Sequence, residues 1–138
     1  MILTIGYENA TPAALIEALR GAGVQTLVDV RALANSRKPG FAKRALSEAL
    51  GGAGIAYVHE KLLGTPAEGR AAVRAGLLAE MRRIFTAHMQ GAEQLDAVAR
   101  LAQRARAERV CLLCLEADPA HCHRTLVAEA VGLPIRHL

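Results

Sequence analysis

Aromatic side chains are scarce in this 138-residue chain: two Tyr, two Phe and no Trp amount to 3% of it. A surface that stacks single-stranded bases needs more π-faces than that, so such strands are not the expected main ligand. Long apolar runs are missing as well. None approaches the roughly 18–20 residues of a membrane span, and no membrane partner is expected. The opening residues MILTIGYENA have neither the basic start nor the small-residue cleavage site of a secretory signal. Cysteine is limited to three, an odd number in so large a chain, which argues against a secreted disulfide scaffold and for a reducing, cytoplasmic setting. GxGxxG, GxxxxGK[ST] and GxSxG are all absent, so no common fingerprint assigns a cofactor or a nucleophile elbow. There is no internal repeat, low-complexity tract or linker.

What is present suits one globular domain over residues 1–138. The chain is 52% hydrophobic, too apolar for disorder, and long enough to bury a core without staples. Its net charge of +4 is localised. Residues 70–109 hold eight arginines against four acids, which accounts for the whole excess. The plain reading of that region is a solvated face of Arg-rich helices. Residues 31–44 carry Arg31, Arg37, Lys38, Lys43 and Arg44 with no acid, and their Pro and Gly mark a basic loop suited to anions.

Apolar patterning predicts strands at Ile2–Ile5, Thr26–Val30, Ile55–Val58 and Val110–Leu115, with a short edge strand at Ile135–His137. Helices are expected from Thr11-Pro12, over Lys43–Leu50, over Arg70–Met89, along Leu95, Val98, Ala102 and Ala105, and over His123–Val131. In the Arg70–Met89 stretch the buried stripe would be Val73, Leu77, Met81, Phe85 and His88. Continuous apolar strands alternating with helices predict a three-layer, Rossmann-like α/β fold: a mostly parallel sheet of four or five strands with helices on both faces. Ligands of such folds bind outside the carboxyl ends of the strands. Gly6-Tyr7, Asp29 to Arg31, Tyr57 to His59 and Glu116 to Arg124 all follow strands, so nearly every chemical candidate lies at one end of the sheet.

The densest set is Cys114-Leu-Glu116-Ala-Asp118-Pro-Ala-His121-Cys122-His123-Arg124. Cys122, His123 and Arg124 enter the last helix at its N-terminus, where free N–H groups favour anions and lower a thiol's pKa. On this reading Cys122 is a nucleophile, His123 an acid or base, and Asp29 and Glu116 proton carriers or arginine holders. Arg31, Arg37 and Arg124 would grip the anion, with Gly6, Tyr7, Ser36 and Tyr57 around it. Asp29–Arg31 reads equally as a structural ion pair, and Arg124 as an anchor for the last helix. Cys111-x-x-Cys114 lies within a strand, where residues three apart face opposite ways, so it is neither chelator nor disulfide. No metal is expected: adjacent Cys122 and His123 rarely aim at one ion, even with Glu116, His121 or Cys114 nearby, and the spacing matches no standard zinc set.

Thr4-Ile5-Gly6-Tyr7, Asp29-Val30-Arg31, Ser36-Arg37-Lys38-Pro39-Gly40-Phe41, Gly54-Ile55-Ala56-Tyr57, Leu63-Gly64 and Cys114-Leu-Glu116 with Cys122-His123-Arg124 resemble the bacterial domain of unknown function 488. The chain departs from that pattern at Tyr7-Glu8 and Leu33. The resemblance implies the three-layer fold and no particular reaction. The leading expectation is therefore a small enzyme or ligand-binding protein for a nucleotide or other phosphorylated small molecule. A nucleic-acid-binding or -processing module built on loop 31–44 is the first alternative, and a thiol- or metal-dependent regulatory protein the second.

Overall fold

The computed structural model describes residues 1–138. Its elements run β1 (Ile2–Gly6), α1 (Pro12–Gly21), β2 (Thr26–Asp29), α2 (Lys43–Gly52), β3 (Ala56–His59), α3 (Ala67–Arg74), α4 (Leu78–His88), α5 (Ala92–Ala107), β4 (Val110–Cys114), α6 (His123–Val131) and β5 (Ile135–His137). The five strands form one sheet in the order β3-β2-β4-β1-β5, with every pairing parallel. β4 sits at the centre and is buried along its whole length, as its unbroken VCLLC run requires.

Side-chain alternation sorts the strands between two cores. Leu3, Ile5, Leu27, Cys111 and Leu113 pack with α1 and α2 on one face. Ile2, Val28, Val110, Leu112 and Cys114 pack with α3 to α6 on the other. Cys111 and Cys114 thus lie in different layers, as their spacing demands. Thr11 starts α1 as anticipated, its Oγ1 accepting from Ala14 N at 3.1 Å.

The stretch 70–89 is not one helix. Gly76 takes a left-handed φ of +74°, which splits it into α3 and α4. Leu77, expected in the buried stripe, falls at the break and is exposed, whereas Met81 and Phe85 are buried. Leu95 also turns outward, and Ala97, Leu101, Ala102 and Ala105 form the inner face of α5.

The crossovers locate a crevice. From β2 the chain moves outward to β3 through α2, and from β4 it moves the other way to β5 through α6, on the opposite face. β2 and β4 are neighbours, so their carboxyl ends form the topological switch point where such sheets take ligands.

One glycine fixes how closely β1 approaches that crevice. A Cβ on Gly6 would meet the carbonyl oxygen of Glu116 head-on, and that obstacle is backbone. Gly6→Ala should therefore cost about 1–3 kcal/mol or more by overpacking. Gly51→Ala in α2, where a methyl group meets nothing within 4 Å, should be neutral or stabilising by up to about 1 kcal/mol. Urea unfolding of both variants checks the contrast; a Gly6→Ala chain as stable as the parent would refute the close approach.

Candidate functional site

The wall contributed by β2 is built on a buried ion pair. Asp29 is fully buried, and Arg31, two residues on, is only 5% exposed. Arg31 Nη2 donates to Asp29 Oδ2 at 2.6 Å, Nε to Oδ1 at 2.9 Å, and the Arg31 backbone N–H to Oδ1 at 3.1 Å. Tyr57 on β3 donates its hydroxyl to Oδ2 at 2.5 Å. The other arm of the guanidinium, Nη1, donates to Tyr7 Oη at 3.1 Å and to the Phe41 carbonyl at 2.8 Å. Tyr7 and Phe41 stack with centroids 4.6 Å apart. Of the two readings of Asp29 and Arg31, the geometry carries the structural one: the carboxylate is consumed by its partners and does not face the crevice.

The electrostatics follow. Burial disfavours charge on Arg31, but its bonds to Asp29 outweigh this and hold it protonated more firmly than a free arginine. Burial, and then the hydrogen bond to Asp29, push the Tyr57 phenol well above its ordinary value.

The second wall begins where β4 ends. Cys114 closes the strand, Glu116 follows, and a loop with a short 3₁₀ turn at Pro119–His121 leads to α6. Asp118 caps that turn, accepting from Ala120 N at 2.9 Å. His123 is buried, and its Nε2 donates to the Val30 carbonyl at 2.7 Å. A carbonyl only accepts, so Nε2 carries hydrogen, and Nδ1 faces inward, 3.6 Å from Cys114 Sγ and 4.0 Å from Cys122 Sγ. Phe85 covers the imidazole edge-on at 5.2 Å.

The expectation of an activated thiol at Cys122 fails on burial. The residue is 3% exposed, and desolvation, with the neighbouring Cys114 thiol, pushes its pKa well above the usual range, against the lowering influence of His123. Cys111 is pushed up too, for the same reason.

Between the two walls lies a cleft of about 340 Å³. Tyr7, Arg31, Glu116 and His123 line it, as sequence reasoning anticipated. Ser36, Arg37, Tyr57, Cys122 and Arg124 do not, nor does Asp29 behind Arg31. Gly6 shapes it only by its contact with Glu116. Arg124, placed among the anion ligands, is instead the helix anchor: it is 1% exposed, and its guanidinium donates to the carbonyls of Glu116 (2.5 Å) and Ala117 (3.4 Å). Ser36 Oγ accepts from Lys38 N at 3.1 Å within its own loop. Arg37 is exposed outside the cleft.

Sequence reasoning missed Asn35, Thr65, Arg70 and Arg74 as cleft residues, while Cys114 and His121, members of the densest sequence set that were given no anion-binding role, also line it. Arg70 and Arg74, one helical turn apart on α3, are its main cationic surface, and Arg70 Nη1 is steadied by the Thr65 carbonyl at 2.8 Å. Their i, i+4 spacing puts both on one face of α3, but nothing in the sequence directs that face to the cleft. Glu116 is the single carboxylate among the lining residues, and no ion pair engages it.

The family model for Domain of unknown function DUF488 matches residues 11–131. The chain belongs to the DUF488 family. No curated protein and no solved structure matches it.

Asp29→Ala would strand the Arg31 charge in the interior and should destabilise the fold by about 3–5 kcal/mol. Tyr57→Phe leaves Asp29 one donor short and should cost about 1–3 kcal/mol at neutral pH. The Tyr57 phenol is raised in the fold, so its contribution is fully present below the unfolded value of about 10 and lost as pH climbs toward the folded value. Thermal midpoints should consequently fall less steeply above pH 10 in Tyr57→Phe than in the parent; equal slopes would show that Tyr57 ionisation is not coupled to folding.

Proposed function

We propose that this protein binds a small phosphorylated or otherwise anionic molecule in the switch-point cleft, as a small enzyme or a ligand-binding protein. The observation that carries the reading is the charge of the lining: Arg31, Arg70 and Arg74 against Glu116 alone, with His121 and His123 as titratable neighbours. Arg70 and Arg74 would make the charge-assisted contacts, since the forked guanidinium suits phosphate oxygens. Arg31, with most of its N–H groups committed to Asp29, Tyr7 and Phe41, would position and contribute field. Glu116 is the group available for proton transfer, and Cys114 is the thiol on the cleft. Half of the lining is apolar or nearly so, with Leu33, Val73, Met81 and Leu115, which suits a ligand carrying an organic moiety beside its anion. Three free cysteines support a reducing, cytoplasmic setting.

A nucleic-acid surface on loop 31–44 has less support. Arg31 is buried, Lys38 Nζ donates to the carbonyls of Tyr7 and Glu8 (3.3 and 2.7 Å), and Arg44 pairs with Glu48 at 3.2 Å.

Calorimetric titration of metal-free protein with inorganic phosphate, pyrophosphate and a nucleoside diphosphate tests the reading. Binding by at least one is expected, weakened about tenfold by Arg70→Ala and by Arg74→Ala, each loss being about 1.4 kcal/mol. Arg37→Ala should leave it unchanged. Equal losses from Arg37→Ala, or affinity for duplex DNA that collapses with salt while none of the small anions binds, would overturn it.

A further inference from the structure

We propose that Cys114, Cys122 and His123 form a binding centre for one borderline-soft divalent cation of the Zn²⁺ type, with its remaining coordination position open to the cleft. The three donor atoms, two Sγ and one Nδ1, lie within 4.8 Å of one another, and all three residues are buried. Zinc bonds of about 2.3 Å to sulfur and 2.0–2.1 Å to nitrogen make tetrahedral edges of about 3.6 Å between S and N and about 3.8 Å between the sulfurs. The present S–N separations are 3.6 and 4.0 Å, so those two edges need shifts of a few tenths of an ångström, and the two sulfurs, within 4.8 Å of each other, close by about 1 Å at most.

A second observation is independent of these distances. His123 gives its Nε2 hydrogen to the Val30 carbonyl at 2.7 Å. A metal-bound imidazole needs this outer contact, which leaves the Nδ1 lone pair free for the ion and fixes the ring plane. Phe85 and Met81 supply an apolar shell on the same side of the sheet.

Adjacent residues in mid-helix diverge by about 100° and do not share an ion. Cys122 escapes that rule because it is the N-cap of α6, extended at φ −128° and ψ 140°. Its side chain therefore comes back alongside that of His123, and the pair meets Cys114 at the end of the central strand. Cys114 and His123 both line the cleft, which places the open side of the centre there. Two thiolates and one imidazole with a vacant fourth position are a donor set of catalytic rather than structural zinc. On binding, each thiol loses its proton to solvent, and the two thiolates neutralise the dication.

This inference does not rest on the anion reading, and the probes are the metals alone. The full chain, reduced and freed of metal with a chelator, is titrated with Co²⁺ and then Zn²⁺. One equivalent of Co²⁺ should give thiolate-to-metal charge-transfer absorption and the intense visible bands of a tetrahedral site, both abolished by Zn²⁺. Cys114→Ser, Cys122→Ser and His123→Ala should each weaken zinc binding more than about 100-fold, beyond what loss of an outer-sphere partner causes. Cys111→Ser, altered in the other core, should leave it unchanged. Should a variant not fold, X-ray absorption at the zinc edge of the parent chain decides: two sulfurs at about 2.3 Å and an imidazole nitrogen at about 2.0 Å are expected. A shell of oxygen and nitrogen alone, a cobalt spectrum without charge transfer, or a Cys114–Cys122 disulfide with no metal uptake after reduction would overturn the proposal. Phosphate binding without zinc, or zinc binding without phosphate, separates the failure of one reading from that of the other.

Discussion

The carboxylate of Asp29 is the point on which this end of the molecule depends. Burying an ion pair is costly, and the desolvation of both charges is offset only where every remaining valence is met. Here it is met from several directions: Arg31 from the chain just beyond β2, Tyr57 from β3, and, through Arg31, Tyr7 after β1 and the Phe41 carbonyl of the basic loop. His59 adds a bond to the Arg31 carbonyl at 2.8 Å. Three strand ends and a loop are thereby referenced to a single pair of oxygens. The cleft inherits its shape from this network, since one wall cannot move without breaking bonds to a buried charge.

The order of layers was readable in the sequence because the strands are short, apolar and separated by helical periods. β4, with five buried residues in a row, leaves no other assignment. Readable too was the end of the sheet that carries the cleft, since nearly every candidate followed a strand. Individual roles were not. Arg70 and Arg74 look like solvated charges on a long helix; only the turn at Gly76 shows that α3 is a separate element reaching the cleft. The divergence expected of Cys122 and His123 holds within a helix, and a helix cap obeys different geometry. Arg124 illustrates a further limit: a guanidinium suits a carbonyl as readily as a phosphate, and composition does not distinguish the two.

The arginines also differ in the work their charges can do. Those on α3 meet solvent, so their field falls off within about 8 Å at physiological salt. Such charges steer what approaches and respond to ionic strength.

Arg124 is the opposite case. Its guanidinium is sealed beneath the Glu116–Ala117 backbone, touches no carboxylate, and leaves Nε without a partner. Its charge is felt elsewhere in the fold: it is among the influences lowering the pKa of His137, and it opposes the upward push of burial on Cys111. Buried in this way, it is screened by salt much less than a charge on the surface. Its influence on those two groups should therefore respond less to salt than the field of the α3 arginines, because it is set by the packing of one side chain rather than by anything on the surface.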